Sequence, residues 1–401
     1  MQNANQSKKN KNVANNKLII IVAVLAVVII VSALLVSKFS PPGGSQNSDE
    51  TSAVSVSENE TTKNALKNES EILQSGSGFP LSFSSNDIVD IKSVGNNVYV
   101  VSNEVLFCIS SSGKLVFSRV LNYSEPVMKS CGNYGIVFDR LSGKYMVVSK
   151  KKINFTGQSI DSSQIIATQI ASDGSYAIAS RSTDSACILT YYDKNGKEKF
   201  SWACSKDHIV SVAISSNGQN LACAALSASD GEIETKVYLL NIYSDETKWE
   251  YTLKGSAAID IHFASANRLS LLCNNKRILL NSKGEGSIVS NNEFSTGLLS
   301  SNSDSDGYSV TLTSKFGSFG GYEIKNYSPN NTENYAFETS ENVTAVLCNG
   351  KRTYILTDSE IISINSFGNE SKRVKLVTAG LGMCLSGGNV YYYSLNSLYK
   401  G

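Results

Sequence analysis

The chain has 401 residues, with 36 Lys+Arg against 35 Asp+Glu, two His, two Trp, five Pro and eight Cys. A net charge of +1 lacks the clustered positive charge with which a nucleic-acid binder displaces counterions from phosphate, and two His supply transition-metal catalysis poorly. Hydrophobic residues make up 41% of the chain, enough for a sizeable core, but these averages conceal strong segmentation.

Residues 1–17 form a basic, Asn-rich tail too short to fold alone, carrying Lys8, Lys9, Lys11 and Lys17. Residues 18–36, Leu18 to Val36, contain one polar residue, Ser32. As a helix this stretch rises about 28 Å, close to the hydrocarbon thickness of a bilayer. Only Lys38 follows closely, so the positive-inside rule predicts a transmembrane anchor in the cell membrane, with a cytoplasmic N-terminus and an extracytoplasmic remainder. The alternative is a cleaved signal peptide, which has a shorter apolar stretch and a small-residue cleavage site; no such site follows Val36. The first cysteine, Cys108, lies too far along for lipoprotein anchoring. Residues 37–76 turn to Pro, Gly, Ser, Asn, Thr and Glu without apolar periodicity, predicting a disordered tether that reaches roughly 30 Å as a random coil.

From residue 77 to 401 the chain reads as short strands with period-2 alternation and no amphipathic helix. A unit of apolar strand, Asx-Gly turn and apolar strand recurs at Asp173-Gly174, Asn217-Gly218 and Asp306-Gly307, with Asn267 marking an intermediate copy that lacks its Gly. Asx-Gly supplies the positive φ that tight hairpins need. A second turn, Ser112-Gly113-Lys114, Asn195-Gly196-Lys197 or Lys283-Gly284-Glu285, makes each unit four strands. Innermost strands are predicted to start near Ile88, Val127, Ile165, Ile209, Ile259, Leu298, Val343 and Gly382. The fold class is therefore all-β, an eight-bladed β-propeller preceded by one transmembrane helix, with seven blades as the alternative because Val127 to Gln158 is a thin unit. The last unit is one strand short. Residues 78–83, Gly78 to Phe83, are predicted to supply that strand and so remove an exposed sheet edge.

The turn pattern and the stretch Asp193, Gly196, Lys197, Trp202 resemble WD40-type and quinoprotein-type β-propellers in the broad sense. The order of anchor, tether, Gly-Phe-Pro strand and propeller, with Cys131 to Arg140 and Tyr192 to Glu198, is similar to an uncharacterised family of membrane-anchored bacterial propeller proteins. That resemblance covers roughly residues 10 to 401 in layout and implies a fold and a membrane setting but no activity. The Gly-His and Trp-Asp signatures of true WD40 repeats are missing.

Motifs for chemistry are sparse. Gly113-Lys114, Gly143-Lys144, Gly196-Lys197 and Gly350-Lys351 lack the Ser/Thr that completes a phosphate loop, and no nucleophile elbow occurs, so no catalytic residue is assigned. Asn302, Asp304 and Asp306 begin like a calcium loop, but Val310 and Thr313 stand where carboxylates complete one. A plain turn is the expectation there, with no metal or cofactor. Asp207, His208, Asp260 and His262 fall at innermost strands, which line a propeller's channel. They are candidates for a small-ligand site, against the commoner reading of structural His near a strand end. Among the cysteines, a two-residue hairpin centred on Asn195-Gly196 would place Cys187 opposite Cys204, Leu189 opposite Trp202 and Tyr191 opposite Phe200. The Cys187/Cys204 pair is then non-hydrogen-bonded and close enough for a cross-strand disulfide.

Beyond residue 40, 31 Lys+Arg face 35 Asp+Glu, about −4, which disfavours adhesion to anionic lipids through charge alone. The expectation is a membrane-anchored extracytoplasmic binding or scaffolding module. It would meet an unknown protein or cell-envelope component through one loop face, with no nucleic-acid partner. A propeller enzyme or small-ligand sensor using the central channel is the alternative.

Overall fold

Runs of Val, Ile, Leu and Tyr broken by Gly, Asn and Asp favour antiparallel meanders over helices. The computed structural model describes residues 78–401 except 84–86, 216–217, 245–246, 284–285 and 316–319. It contains eight four-stranded antiparallel sheets. Seven are uninterrupted meanders: blades 1 to 7 span 88–120, 126–158, 165–204, 208–254, 258–293, 298–339 and 343–375. Blade 8 joins three strands of 382–400 to the N-terminal strand Leu81–Ser82. Each innermost strand begins within one residue of its predicted start. The thin unit is a complete blade, so the seven-bladed alternative falls. The tail, the apolar segment 18–36 and the tether lie outside the described residues, among which no helix is long and apolar enough to cross a membrane.

The closing strand is shorter than predicted. Only Leu81 and Ser82 pair, opposite Leu398 and Ser397, while Phe83 N donates to Asn396 O at 2.8 Å. Burial makes up for the brevity: Leu81 and Phe83 sit in an apolar cluster with Ile91, Phe107, Tyr391 and Leu398, which joins blade 8 to blade 1.

Because successive strands reverse direction, the turns between strands one and two and between three and four share one face, here called the base. The remaining connections share the other, the mouth face, where every innermost strand begins. The described chain enters at the base: a Cβ on Gly113, in a base turn of blade 1, would lie 3.1 Å from Gly78 Cα. Blades pack through their base turns as well as their faces. Gly307 has φ +83°, and a Cβ there would lie 2.2 Å from Ala264 O on blade 5, so the recurring turn glycine serves close approach as well as the turn.

The register predicted for blade 3 is present, with Cys187 opposite Cys204, Leu189 opposite Trp202 and Tyr191 opposite Phe200. The turn that sets it differs. Gly196 N donates to Asp193 O and Asp193 N to Lys197 O, both at 2.9 Å, which places Tyr192 opposite Glu198. Lys199 is then left unpaired as a β-bulge, and this one-residue shift restores the expected pairing. The same irregularity near the start of the outermost strand recurs in blades 1 to 7.

Candidate functional site

In six blades the second residue of the innermost strand, or in blade 4 the third, is a bulge: Val89, Ile166, Val210, Ile259, Leu299 and Thr344. A bulge re-aims a side chain and ends regular pairing. These bulges all stand at the mouth end of the channel, and five of the six side chains are apolar. Val89, Ile259 and Leu299 are 40, 46 and 56% exposed, and Leu381, just ahead of the blade 8 strand, is 49% exposed.

Further exposed apolar residues stand on the mouth face where blades 7, 8 and 1 meet. Leu395 O accepts from Ile88 N at 2.6 Å, Leu381 N donates to Tyr393 O at 2.8 Å, and Tyr393 OH donates to Val89 O at 3.0 Å. Val377 N donates to Tyr392 OH at 3.1 Å. Val377 and Leu395 are 80 and 65% exposed. Leu141 and Ile233 are exposed on the same face.

Below the rim the channel wall is polar. Asp90 and Lys92 of blade 1 pair at 2.9 Å. On blade 5, Asp260 accepts a 2.9 Å hydrogen bond from Ser211 Oγ of blade 4, and its other oxygen lies 3.8 Å from His262 Nδ1. Burial in the channel by itself would raise the Asp260 carboxyl. The His262 imidazole and the Lys129 ammonium outweigh burial and hold it below the usual carboxylate range. Lys129 belongs to blade 2, three blades away, so its charge acts across the channel. Sequence reasoning missed Lys129 because it stands alone in an apolar strand, Pro126–Cys131.

The channel candidates therefore divide. Asp260 and His262 come together. Asp207 instead points into the seam between blades 3 and 4: its carboxylate takes hydrogen bonds from Tyr238 OH and Lys236, and its carbonyl accepts from Cys187 Sγ at 3.3 Å. Burial alone would raise Asp207, but the Tyr238 and Lys236 bonds reverse the direction and lower it. His208 is exposed at the first position of its strand.

In the calcium-loop candidate, Asn302 Oδ1 accepts from Cys348 N at 3.0 Å and Asp304 Oδ2 from Gly350 N at 2.7 Å, both on blade 7. Asp304 Oδ1 accepts from the backbone N–H groups of Asp306 and Tyr308. These groups act as a turn and an inter-blade staple. Cys187 and Cys204 are buried at 0 and 2% exposure and are free thiols in the structure. Trp202 and Trp249 both lie on outermost strands, away from the channel.

Eight four-stranded blades around a channel with an apolar mouth define a β-propeller whose loops and mouth are its accessible chemistry. The chain belongs to a family of unknown function, DUF5711, whose model matches residues 74–397. No curated protein matches it in sequence. Among solved structures, Sqt1 of Saccharomyces cerevisiae is similar with a TM-score of 0.57 at 12% identity, covering 80% of this chain and 98% of that one. BamB of Moraxella catarrhalis is similar with a TM-score of 0.50 at 11% identity, covering 80% and 97%. AztD of Citrobacter koseri is similar with a TM-score of 0.51 at 8% identity, covering 79% and 90%. At these identities the likeness concerns the fold alone.

Proposed function

We propose that this protein is a membrane-tethered extracytoplasmic propeller that binds or scaffolds a protein or cell-envelope partner on its mouth face. The observation that carries this reading is the group of exposed apolar residues Val89, Val377, Leu381 and Leu395 on the mouth face, since exposed apolar area marks interaction sites. The described chain enters at the base, on the face opposite these residues. Residues 18–36 supply the anchor on this reading.

Crosslinking and pull-down from the native membrane tests it. The wild-type chain is expected to retain a partner that the double variant Val377→Asp, Leu395→Asp loses by about thirtyfold in affinity, roughly 2 kcal/mol, with an unchanged thermal midpoint. Both residues are exposed, so folding is spared. Equal retention by the variant would reject this group as the binding surface.

A second reading, a small-ligand sensor, is favoured by the convergence of Asp260, His262 and Lys129 in the channel. Failure to recover a partner, together with a thermal shift on adding a small polar ligand, would put this reading first.

A further inference from the structure

Apolar clusters fill seven of the eight seams between blades; among the described residues the seam between blades 5 and 6 has none. The pleat explains the difference. Leu269, Leu271, Ile278 and Leu280 of blade 5 pack toward blade 4, so the alternate residues Ser270, Leu272, Arg277 and Leu279 face blade 6, two of them polar. Val310 and Leu312 of blade 6 pack toward blade 7, which turns Ser309, Thr311 and Thr313 toward blade 5.

Arg277 is 1% exposed in this seam. Its Nε donates to Ser270 Oγ at 3.1 Å, and its guanidinium carbon stands 5.1 Å from the centre of the Tyr327 ring of blade 6. Neither terminal nitrogen has a hydrogen-bond partner among the described residues. Ser309 Oγ and Asn331 Oδ1 are likewise buried without a hydrogen-bond partner, as are both ring nitrogens of His262, whose Nδ1 stands 3.8 Å from Asp260. Asn331 belongs to the same seam, since its Nδ2 donates to Ser290 Oγ of blade 5 at 2.8 Å. His262 stands opposite Ser270 in the sheet, so His262, Ser270 and Arg277 run outward from the channel along one face.

A buried guanidinium without a counter-charge is unfavourable, and a ring face offsets only part of the loss. Burial pulls Arg277 down to about 10, as expected of a cation lacking an anionic neighbour. The two free terminal nitrogens are coplanar donors, the arrangement that takes the two oxygens of a carboxylate. We propose that the seam between blades 5 and 6 is a binding site for a small carboxylate, held bidentately by Arg277 with Ser309 Oγ as a further donor. The bound anion ties the two blades together where no apolar cluster spans them.

Thermal unfolding of the full-length protein in formate tests the site, against chloride and a bulky sulfonate buffer anion at matched ionic strength. Formate is expected to raise the midpoint by several degrees in a saturable way, at lower concentration than chloride. Arg277→Met is expected to be insensitive to formate and, without it, no less stable than wild type, since the buried charge is gone. The site is overturned by equal midpoints in all three anions, or by an unchanged formate response in the variant. Chloride matching formate overturns the bidentate assignment. Should Arg277→Met fail to fold, crystals of the wild type grown in formate decide. Planar density bridging both terminal nitrogens is expected, and density elsewhere only is the contrary result.

Discussion

Asp207 illustrates how a single side chain changes meaning between sequence and structure. Its position beside His208, at the start of an innermost strand, makes it read as a channel carboxylate. Tyr238 and Lys236 of the same blade, some thirty residues later, fold back to claim it. Local spacing carries no trace of that return. The consequence is measurable as a pH dependence. Because the folded carboxyl is held below its ordinary value, its stabilisation is fully present above the unfolded value of about 3.9 and is lost as pH falls through the lower folded value. Asp207→Asn is expected to lower stability by about 1–3 kcal/mol at neutral pH and to flatten the acid limb of a urea-midpoint profile. An acid limb identical to wild type would show that other carboxylates account for it.

At the level of strands and turns, blade 3 shows two departures cancelling. A three-residue loop replaced the expected two-residue turn, and the bulge at Lys199 restored the pairing of Cys187 with Cys204. Period-2 patterning finds strands but cannot register an inserted residue, so neither the outer bulges nor the inner ones that shape the mouth were legible. The polar seam did leave a signal: Leu298–Ser303 reads Leu-Leu-Ser-Ser-Asn-Ser, with no apolar alternation on either face. Arg277 was missed because Lys276-Arg277 ahead of Ile278 looks like a solvated strand end. The facing cysteines yield a further expectation. In an oxidising extracytoplasmic setting Cys187 and Cys204 form a cross-strand disulfide during folding, with a thiol-disulfide exchange partner accepting the electrons. Mass spectrometry of unreduced, alkylated protein from native membranes should find the two peptides linked; free thiols at both positions would refute it.

Across the whole molecule, blade number and ring closure were readable because turn chemistry repeats every blade and because one strand was visibly owed at the end. Net charge was a poorer guide. The overall acidity of the head conceals an exposed group of Lys114, Lys150, Lys151 and Lys152 beside the chain entry, with no Asp or Glu in the base turns of blades 1 and 2. Within a Debye length of about 10 Å, local charge of this kind outweighs a distant surplus. Closure is the global property most open to test. Leu81→Asp places a charge in the cluster that joins blade 8 to blade 1, and it is expected to cost about 3 kcal/mol or more. Light scattering should then show self-association through the uncovered strand Ser397–Lys400. A monomer with an unchanged urea midpoint would mean that the ring does not depend on this strand. The brevity of that strand has a mechanical side as well. Leu81–Ser82 is the first paired element of the described chain, so tension along the preceding segment would reach the strand ladders of the ring through two residues before any other. The joint that completes the circle is also the joint that bears the pull, and the propeller would yield there first, by peeling, with the other blades still unloaded.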